Sequence, residues 1–271
     1  MSTKNSHSNI ACVIPTLHNR EGVLQLITDL KEYHPSTPVI VVNNNRDSFP
    51  ATMDHPSLIV IEEKRNTGFA KACNDGARAA EKYFHAKYLA FINDDIRFSQ
   101  PWLDECTEEM EKRKWFATTP LIKQTDGSPE NVGYRVLPQG KVLLTKSLNG
   151  NSSDLDGLTA AALVVRQDVF EKLHGFDERF FAYLEDVDFF LRAKKHGYRF
   201  GTTQSVSVVH RGQGTSSSMP VRKRWLDLRN WYLLMFKNWD MQTLMKYFPQ
   251  IFIERLRNLS GLLKALLGFA K

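Results

Sequence analysis

Four short apolar runs, each breaking off into polar residues, constrain this chain more than any other feature. Ile10–Ile14, Pro38–Val42, Leu58–Ile61 and Tyr88–Ile92 are rich in β-branched or aromatic side chains and have the length of strands. Between the first two, Val23, Leu26, Ile27, Leu30 and Tyr33 recur at helical spacing, with Asn19 as N-cap. A second helix is expected from about Gly68 to Phe84, with Ala72, Cys73, Gly76, Ala77 and Ala80 inward; side chains this small predict close packing on a sheet. The runs are continuously apolar rather than alternating, so both faces of the sheet must be covered. The expectation is an α/β protein with a mostly parallel sheet flanked by helices.

Ligands of such sheets bind beyond the C-terminal strand ends. The polar clusters Thr16–Asn19, Asn43–Asp47, Glu63–Asn66 and Asn93–Asp95 all fall there. The second half reads differently. A helix near Pro101–Lys114 precedes a strand at Ala117–Ile122 and a turn at Asp126-Gly127, and Tyr134–Leu144 suggests a hairpin. Gly157–Val165 reads as a buried strand and Leu184–His196 as a helix closed by Gly197. Arg199–Thr203 and Ser205–Val209 read as short strands ending at His210, before a glycine- and serine-rich loop at Gly212–Ser218.

Two groups of carboxylates carry the chemistry. Asp94 and Asp95 follow a buried strand, where they repel each other unless a cation or ligand intervenes. A divalent cation carrying a diphosphate meets that need, because Mg²⁺ and Mn²⁺ take carboxylate oxygens and fill their remaining positions with phosphate and water. A helix cap or turn is the ordinary alternative. Glu185, Asp186 and Asp188 fall in the first turn of a helix, where acids suit the macrodipole. Asp188 is explained by an i,i+4 pair with Arg192. Glu185 and Asp186 stand among large apolar residues, which suits a carboxylate tuned for general-base work. Of the eight histidines, His210 ends an apolar strand before a flexible loop and could join a carboxylate on a metal.

Taken together, these segments resemble the family 2 glycosyltransferases of the GT-A fold, especially bacterial rhamnosyltransferase-like members. The resemblance covers about residues 10–217 and rests on Val13-Ile14-Pro15-Thr16, Asn66-Thr67-Gly68-Phe69-Ala70, Asn93-Asp94-Asp95, Gly175 through Phe181, Leu184 through Asp188, and Val209-His210, in that order. It implies a Rossmann-like mixed sheet and a nucleotide-diphosphate sugar donor, dTDP-rhamnose-like or a UDP-hexose. The acceptor would be a hydroxyl of a glycan or lipid-linked molecule in cell-surface polysaccharide synthesis, attacked with inversion. It implies Mg²⁺ or Mn²⁺ on Asp95 and His210, Asp186 as catalytic base and Glu185 as acceptor-binding residue. Pro15, Thr16, Asn43, Asn66, Gly68, Asn93 and Asp94 would bind the nucleotide sugar. Asn43 and Asn93 stand where the family usually has Asp, and the segment from Pro15 to Asn19 is one residue longer than the common pattern. A nucleotidyltransferase would need a glycine-rich, Arg-containing loop where this chain has Pro15 through Arg20. A non-catalytic nucleotide-sugar-binding or scaffold protein is the other alternative.

The expected division is a polar N-terminal stretch at 1–9, a catalytic domain at 10–215 (donor half 10–100, acceptor half 101–215) and C-terminal amphipathic helices at 216–271. Net charge is +6, yet ten Lys/Arg and three Asp/Glu lie in 216–271, so the body is close to neutral. That argues against nucleic acid. In the tail Trp225, Leu228, Tyr232, Met235, Phe236 and Trp239 form one helical stripe. Leu244 through Leu266 continues it, with Pro249 as an expected break. Such a tail suits packing on the catalytic domain, a homodimer through these helices, or peripheral membrane contact through 241–271. Three cysteines without a Cys-x-x-Cys pair fit a reducing compartment, and Met1–Asn9 lacks the apolar stretch of a signal peptide. A cytoplasmic protein, peripheral on the inner face of the membrane, is therefore expected.

Overall fold

The computed structural model describes residues 9–45, 47–49, 55–147, 154–212 and 220–267. Its centre is a mixed sheet. Strands β1 (Ile10–Thr16), β2 (Val39–Asn43), β3 (Leu58–Glu62) and β4 (Tyr88–Ile92) pair in parallel, in the order β3-β2-β1-β4. Helix α1 (Arg20–Tyr33) joins β1 to β2, and α2 (Phe69–Phe84) joins β3 to β4. Beyond β4 the direction changes. Strand β10 (Ala162–Arg166) runs antiparallel to both β4 and β6 (Ala117–Lys123), and β11 (Phe200–His210) lies parallel to β6. The short strand β5 (Ile96–Arg97) closes the far edge against β11, and β7 (Pro129–Asn131) pairs with β6. Strands β8 (Tyr134–Val136) and β9 (Val142–Leu144) form the expected hairpin as a separate sheet.

The continuous apolar runs behave as their composition demands. Ala11, Val13, Ile40, Val42, Leu89 and Phe91 face one side, against α2. Ile10, Cys12, Ile14, Val39, Val41, Ala90 and Ile92 face the other, against α1 and α3 (Leu103–Arg113). Period-two alternation thus splits each strand between two cores. At Gly76 a Cβ would stand 2.2 Å from Cγ1 of Val13, so the small inward face of α2 is what lets the helix lie close on the sheet.

Several boundaries move. Gly157–Val165 is strand only from Ala162; its earlier residues form buried irregular backbone at the cleft described below. The two strands expected around His210 are one, with an irregularity in pairing between Thr203 and Ser207. The short elements β5, β7, α4 (Gln167–Lys172) and a 3-10 turn at Glu178–Phe180 carry too few residues to show a period. Helix α5 (Glu185–Lys195) is followed by Gly197 at φ +76°, as the sequence suggests.

The tail forms α6 (Pro220–Asn238), α7 (Met241–Lys246) and α8 (Phe248–Leu266). The break expected at Pro249 is present: α7 ends at Lys246 and α8 begins at Phe248, with Pro249 in its first turn, where the missing N–H costs nothing. The stripe on α6 also divides. Of its residues Met235 is buried, whereas Trp225, Tyr232 and Phe236 are exposed; the buried face of α6 is completed by Asn230, Trp231 and Leu234, which the expected stripe does not include. Among the described residues, no helix is long and apolar enough to cross a membrane.

Candidate active site

A cleft of about 590 Å³ opens where the parallel strands end. It gathers Pro15, Thr16, Asn66, Gly68, Asn93, Asp94, Asp95, Glu185, Asp186 and His210, which come from both halves of the chain. Asn43 does not line it. That side chain is buried, with Nδ2 donating to Oε2 of Glu62 at 2.6 Å and to the carbonyl of Asp47 at 2.8 Å. The neighbouring Asn44 lines the cleft instead. Its Oδ1 accepts from the Thr67 N–H at 3.1 Å and the Thr67 hydroxyl at 2.8 Å, and its Nδ2 donates to the Gly68 carbonyl at 3.2 Å. In a strand end reading Asn43-Asn44-Asn45, one residue of register decides which amide faces the cleft.

Gly68 is required where it stands. Its φ is +91°, and a Cβ would meet the Phe181 carbonyl at 2.5 Å. That carbonyl accepts from Ala70 N–H at 3.1 Å, so the start of α2 is locked to the segment preceding α5. In this segment Phe181, Tyr183 and Leu184 all have φ between 66° and 71°. Such backbone costs about 1–3 kcal/mol per residue and persists only where surroundings enforce it. Asn230 of α6 supplies the enforcement. It is fully buried, and its Nδ2 donates to the carbonyls of Phe180, Ala182 and Tyr183 at 2.7–2.8 Å. The helix expected to be a tail therefore shapes the turn that presents Glu185 and Asp186.

Asp94 faces the end of β1. Thr16 Oγ1 donates to its Oδ2 at 2.7 Å, and Asn19 Nδ2 donates to its Oδ1 at 3.2 Å. Burial raises its carboxyl to about 6, against the lowering effect of those two donors. Asp95 is 4% exposed and lies beside His210, with Oδ1 3.2 Å from Nε2. The other ring nitrogen of His210 lies 2.9 Å from Oε2 of Glu130. Burial opposes charge on this ring. Hydrogen bonds and attraction from Asp95 and Glu130 outweigh it and raise His210 to about 10.

Glu185 and Asp186 line the same cleft. Asp186 Oδ1 accepts from Val187 N–H at 2.8 Å, and Oδ2 accepts from Ala160 N–H at 3.3 Å. Burial raises Asp186 to about 6 despite those bonds. Glu185 is raised further, by burial and by the Asp186 charge, and its buried Oε2 has no hydrogen-bond partner. Tyr134, also at the cleft, has an equally unpartnered hydroxyl. Buried polar atoms left open inside a cleft are those a polar ligand can satisfy. Asp188 points away into a closed network with Arg192 at 2.8 Å, Lys237 at 2.8 Å and Asn238 at 3.0 Å. Arg222 and Lys223 of α6 also line the cleft, over the rings of Phe181 and Tyr183. The loop expected at Gly212–Ser218 lies, beyond Gly212, outside the described residues.

Residues 11–173 match the family model for glycosyl transferase family 2. The chain belongs to that family. It is 27% identical over 251 residues to the dTDP-rhamnosyl transferase RfbF of Shigella flexneri, covering 86% of this chain and 81% of RfbF. It is 23% identical over 240 residues to the O-antigen biosynthesis protein RfbC of Myxococcus xanthus, covering 80% of this chain but only 18% of that relative's length. Among solved structures, GalNAc-T7 with UDP, GalNAc and Mn²⁺ superposes with a TM-score of 0.63 at 13% identity, over 88% of this chain and 49% of that one. The GT-A fold of this family 2 member is thus seen in strand order and in structural likeness alike.

Glu130, Asn44 and Asn230 escape sequence reasoning for separate reasons. Glu130 lies in a three-residue strand without a motif, and Asn44 is one of three successive asparagines. Asn230 sits in an amphipathic helix where a polar residue would ordinarily face water.

Proposed function

We propose that this protein is an inverting glycosyltransferase that moves a sugar from a nucleotide diphosphate to a hydroxyl of a glycan or lipid-linked acceptor in cell-surface polysaccharide synthesis. The observation that carries the reading is one cleft lined both by the adjacent Asp95 and His210 and by Asp186, whose carboxyl is raised by burial. A dTDP-deoxysugar such as dTDP-rhamnose is the favoured donor, supported by the likeness to RfbF, with a UDP-hexose second.

In this reading the nucleotide lies over Pro15, Thr16, Asn44, Asn66 and Gly68. Asp95 and His210 suit Mg²⁺ or Mn²⁺. Their carboxylate oxygen and imidazole nitrogen already lie together, although among the described residues no set of three His, Cys, Asp or Glu side chains converges as a complete metal site. Two protein ligands suffice where phosphate and water complete the shell. A cation bound there supplies positive charge to the leaving diphosphate. Arg222 and Lys223 add fixed charge at the cleft. Asp186 takes the proton from the acceptor hydroxyl, whose oxygen attacks the anomeric carbon as the bond to the diphosphate breaks on the opposite face. Glu185 and Tyr134, with open polar atoms, orient the acceptor. Asp94 holds the end of β1 against β4 through Thr16 and Asn19.

The reading extends to a membrane surface. Phe248, Phe252, Leu256, Leu259 and Leu263 form an exposed stripe on α8, and Lys246, Arg257 and Lys264 accompany it. An apolar face edged by cations fits anionic lipid better than a second copy carrying the same cations. Release of nucleoside diphosphate, measured across dTDP- and UDP-sugars with and without Mn²⁺, tests the function. Metal-dependent turnover of one donor is expected; binding without turnover of any donor, against a panel of glycan and lipid-linked acceptors, would favour a scaffold.

A further inference from the structure

We infer that Glu130 is a positioning residue that fixes the ring of His210 for metal binding, an inference that rests on the metal reading above. Three strands place the groups in line. Asp95 follows β4, and β5 pairs with β11 so that Ile96 lies opposite His210, which sets the histidine beside the carboxylate. The backbone N–H of Arg211 donates to the Asp95 carbonyl at 3.0 Å and holds that register. Strand β7 then brings Glu130 from the other side, because it pairs with β6, the neighbour of β11. Both carboxylate oxygens of Glu130 lie within 3.0 Å of Nδ1 of His210. Glu130 does not line the cleft, so it acts on ligands only through the histidine.

The chemistry follows from the ring's two nitrogens. A proton held on Nδ1 by Glu130 directs the Nε2 lone pair toward the site of Asp95, and one bidentate contact also fixes ring rotation. Without that partner the imidazole can turn about its side-chain bonds or carry its proton on Nε2, where it blocks a cation. Carboxylate partners of this kind raise ligand basicity, and their loss costs roughly 10–100-fold in metal affinity.

The test is Mn²⁺ binding to the full chain, read from the electron paramagnetic resonance signal of free Mn²⁺ and needing no turnover. Asp95→Ala is expected to abolish the site, and Glu130→Ala to weaken it roughly 10–100-fold. Glu130→Gln, which keeps an accepting oxygen and the same volume, is expected to fall between wild type and Glu130→Ala. It also serves if the alanine variant fails to fold. In parallel, ¹⁵N spectra of the His210 ring under saturating, diamagnetic Mg²⁺ should show the ring proton on Nδ1 in wild type and a mixture of tautomers in Glu130→Ala. Mn²⁺ binding lost in Asp95→Ala but unchanged in both Glu130 variants would overturn the role of Glu130 alone. Binding that survives Asp95→Ala would overturn the metal site itself, and the inference with it.

Discussion

Replacing Asp186 by asparagine should abolish transfer while making the fold more stable. Burial raises this carboxyl from its ordinary 3.8 to about 6. Each tenfold change in proton affinity corresponds to about 1.4 kcal/mol, so keeping the group ionised at neutral pH costs the fold about 3 kcal/mol. The amide carries no charge. It has one accepting oxygen where the carboxylate uses two, for Val187 N–H at 2.8 Å and Ala160 N–H at 3.3 Å. One of these bonds is lost, at about 1 kcal/mol. Asp186 keeps some contact with water, so the net gain is about 1–2 kcal/mol, or roughly 2–8 °C in Tm for a chain of this size. The sign depends on pH. Because the folded pKa lies above the unfolded one, wild type has its full stability below about pH 4 and loses it as pH rises through about 6. The advantage of the variant is therefore largest above pH 6 and fades toward pH 4. Thermal melts from pH 4 to 8, with donor affinity and transfer rate at pH 7.5, measure every part. A lower Tm at pH 7.5, or an offset independent of pH, refutes the buried-charge argument. Near-normal transfer removes Asp186 as the base.

Further outcomes follow from the same geometry. Gly68→Ala should lower Tm and weaken nucleotide binding several-fold, because a Cβ would meet the Phe181 carbonyl at 2.5 Å on backbone at φ +91°; isothermal titration with dTDP and UDP checks it. Turnover should rise as pH increases through about 6, where Asp186 becomes ionised, and a rate flat between pH 5 and 7 would count against that assignment. Phe252→Glu with Leu256→Glu changes only exposed positions. It should leave Tm within about 1 °C and abolish sedimentation with anionic vesicles. Unchanged vesicle binding, or a dimer that the variant dissolves, would contradict the membrane reading.

Much of the donor half is legible in the sequence because its physics is local. Continuous apolar runs must be covered twice, small residues on α2 allow close approach, and polar strand ends must face a ligand or water. Asp95 and His210 can be singled out as strand-terminal polar residues, but their approach to 3.2 Å depends on β5, two residues long and without a pattern of its own. Glu130 depends on β7 in the same way. Asn43 and Asn44 are chemically identical, so only register distinguishes the amide held by Glu62 from the one facing the cleft. Asn230 is hidden because its partners are three carbonyls nearly fifty residues earlier, on backbone whose left-handed turns no composition announces. The tail divides for a related reason. One amphipathic stripe serves two surfaces, with α6 gripping the site and α8 turning an apolar face to solvent.

A single displacement across this cleft, with Asp186 taking the proton from the attacking hydroxyl, is the proposed chemistry. Water can replace the acceptor, so slow donor hydrolysis reports the same chemistry without knowledge of the true acceptor. Proton nuclear magnetic resonance of the first sugar released from dTDP-rhamnose in the presence of Mg²⁺, or from a UDP-hexose if that is the donor turned over, reads the anomeric configuration before mutarotation. The first anomer to appear is expected to be inverted relative to the donor, and Asp186→Asn is expected to release none. A first anomer with retained configuration, or equal release by the variant, would contradict it.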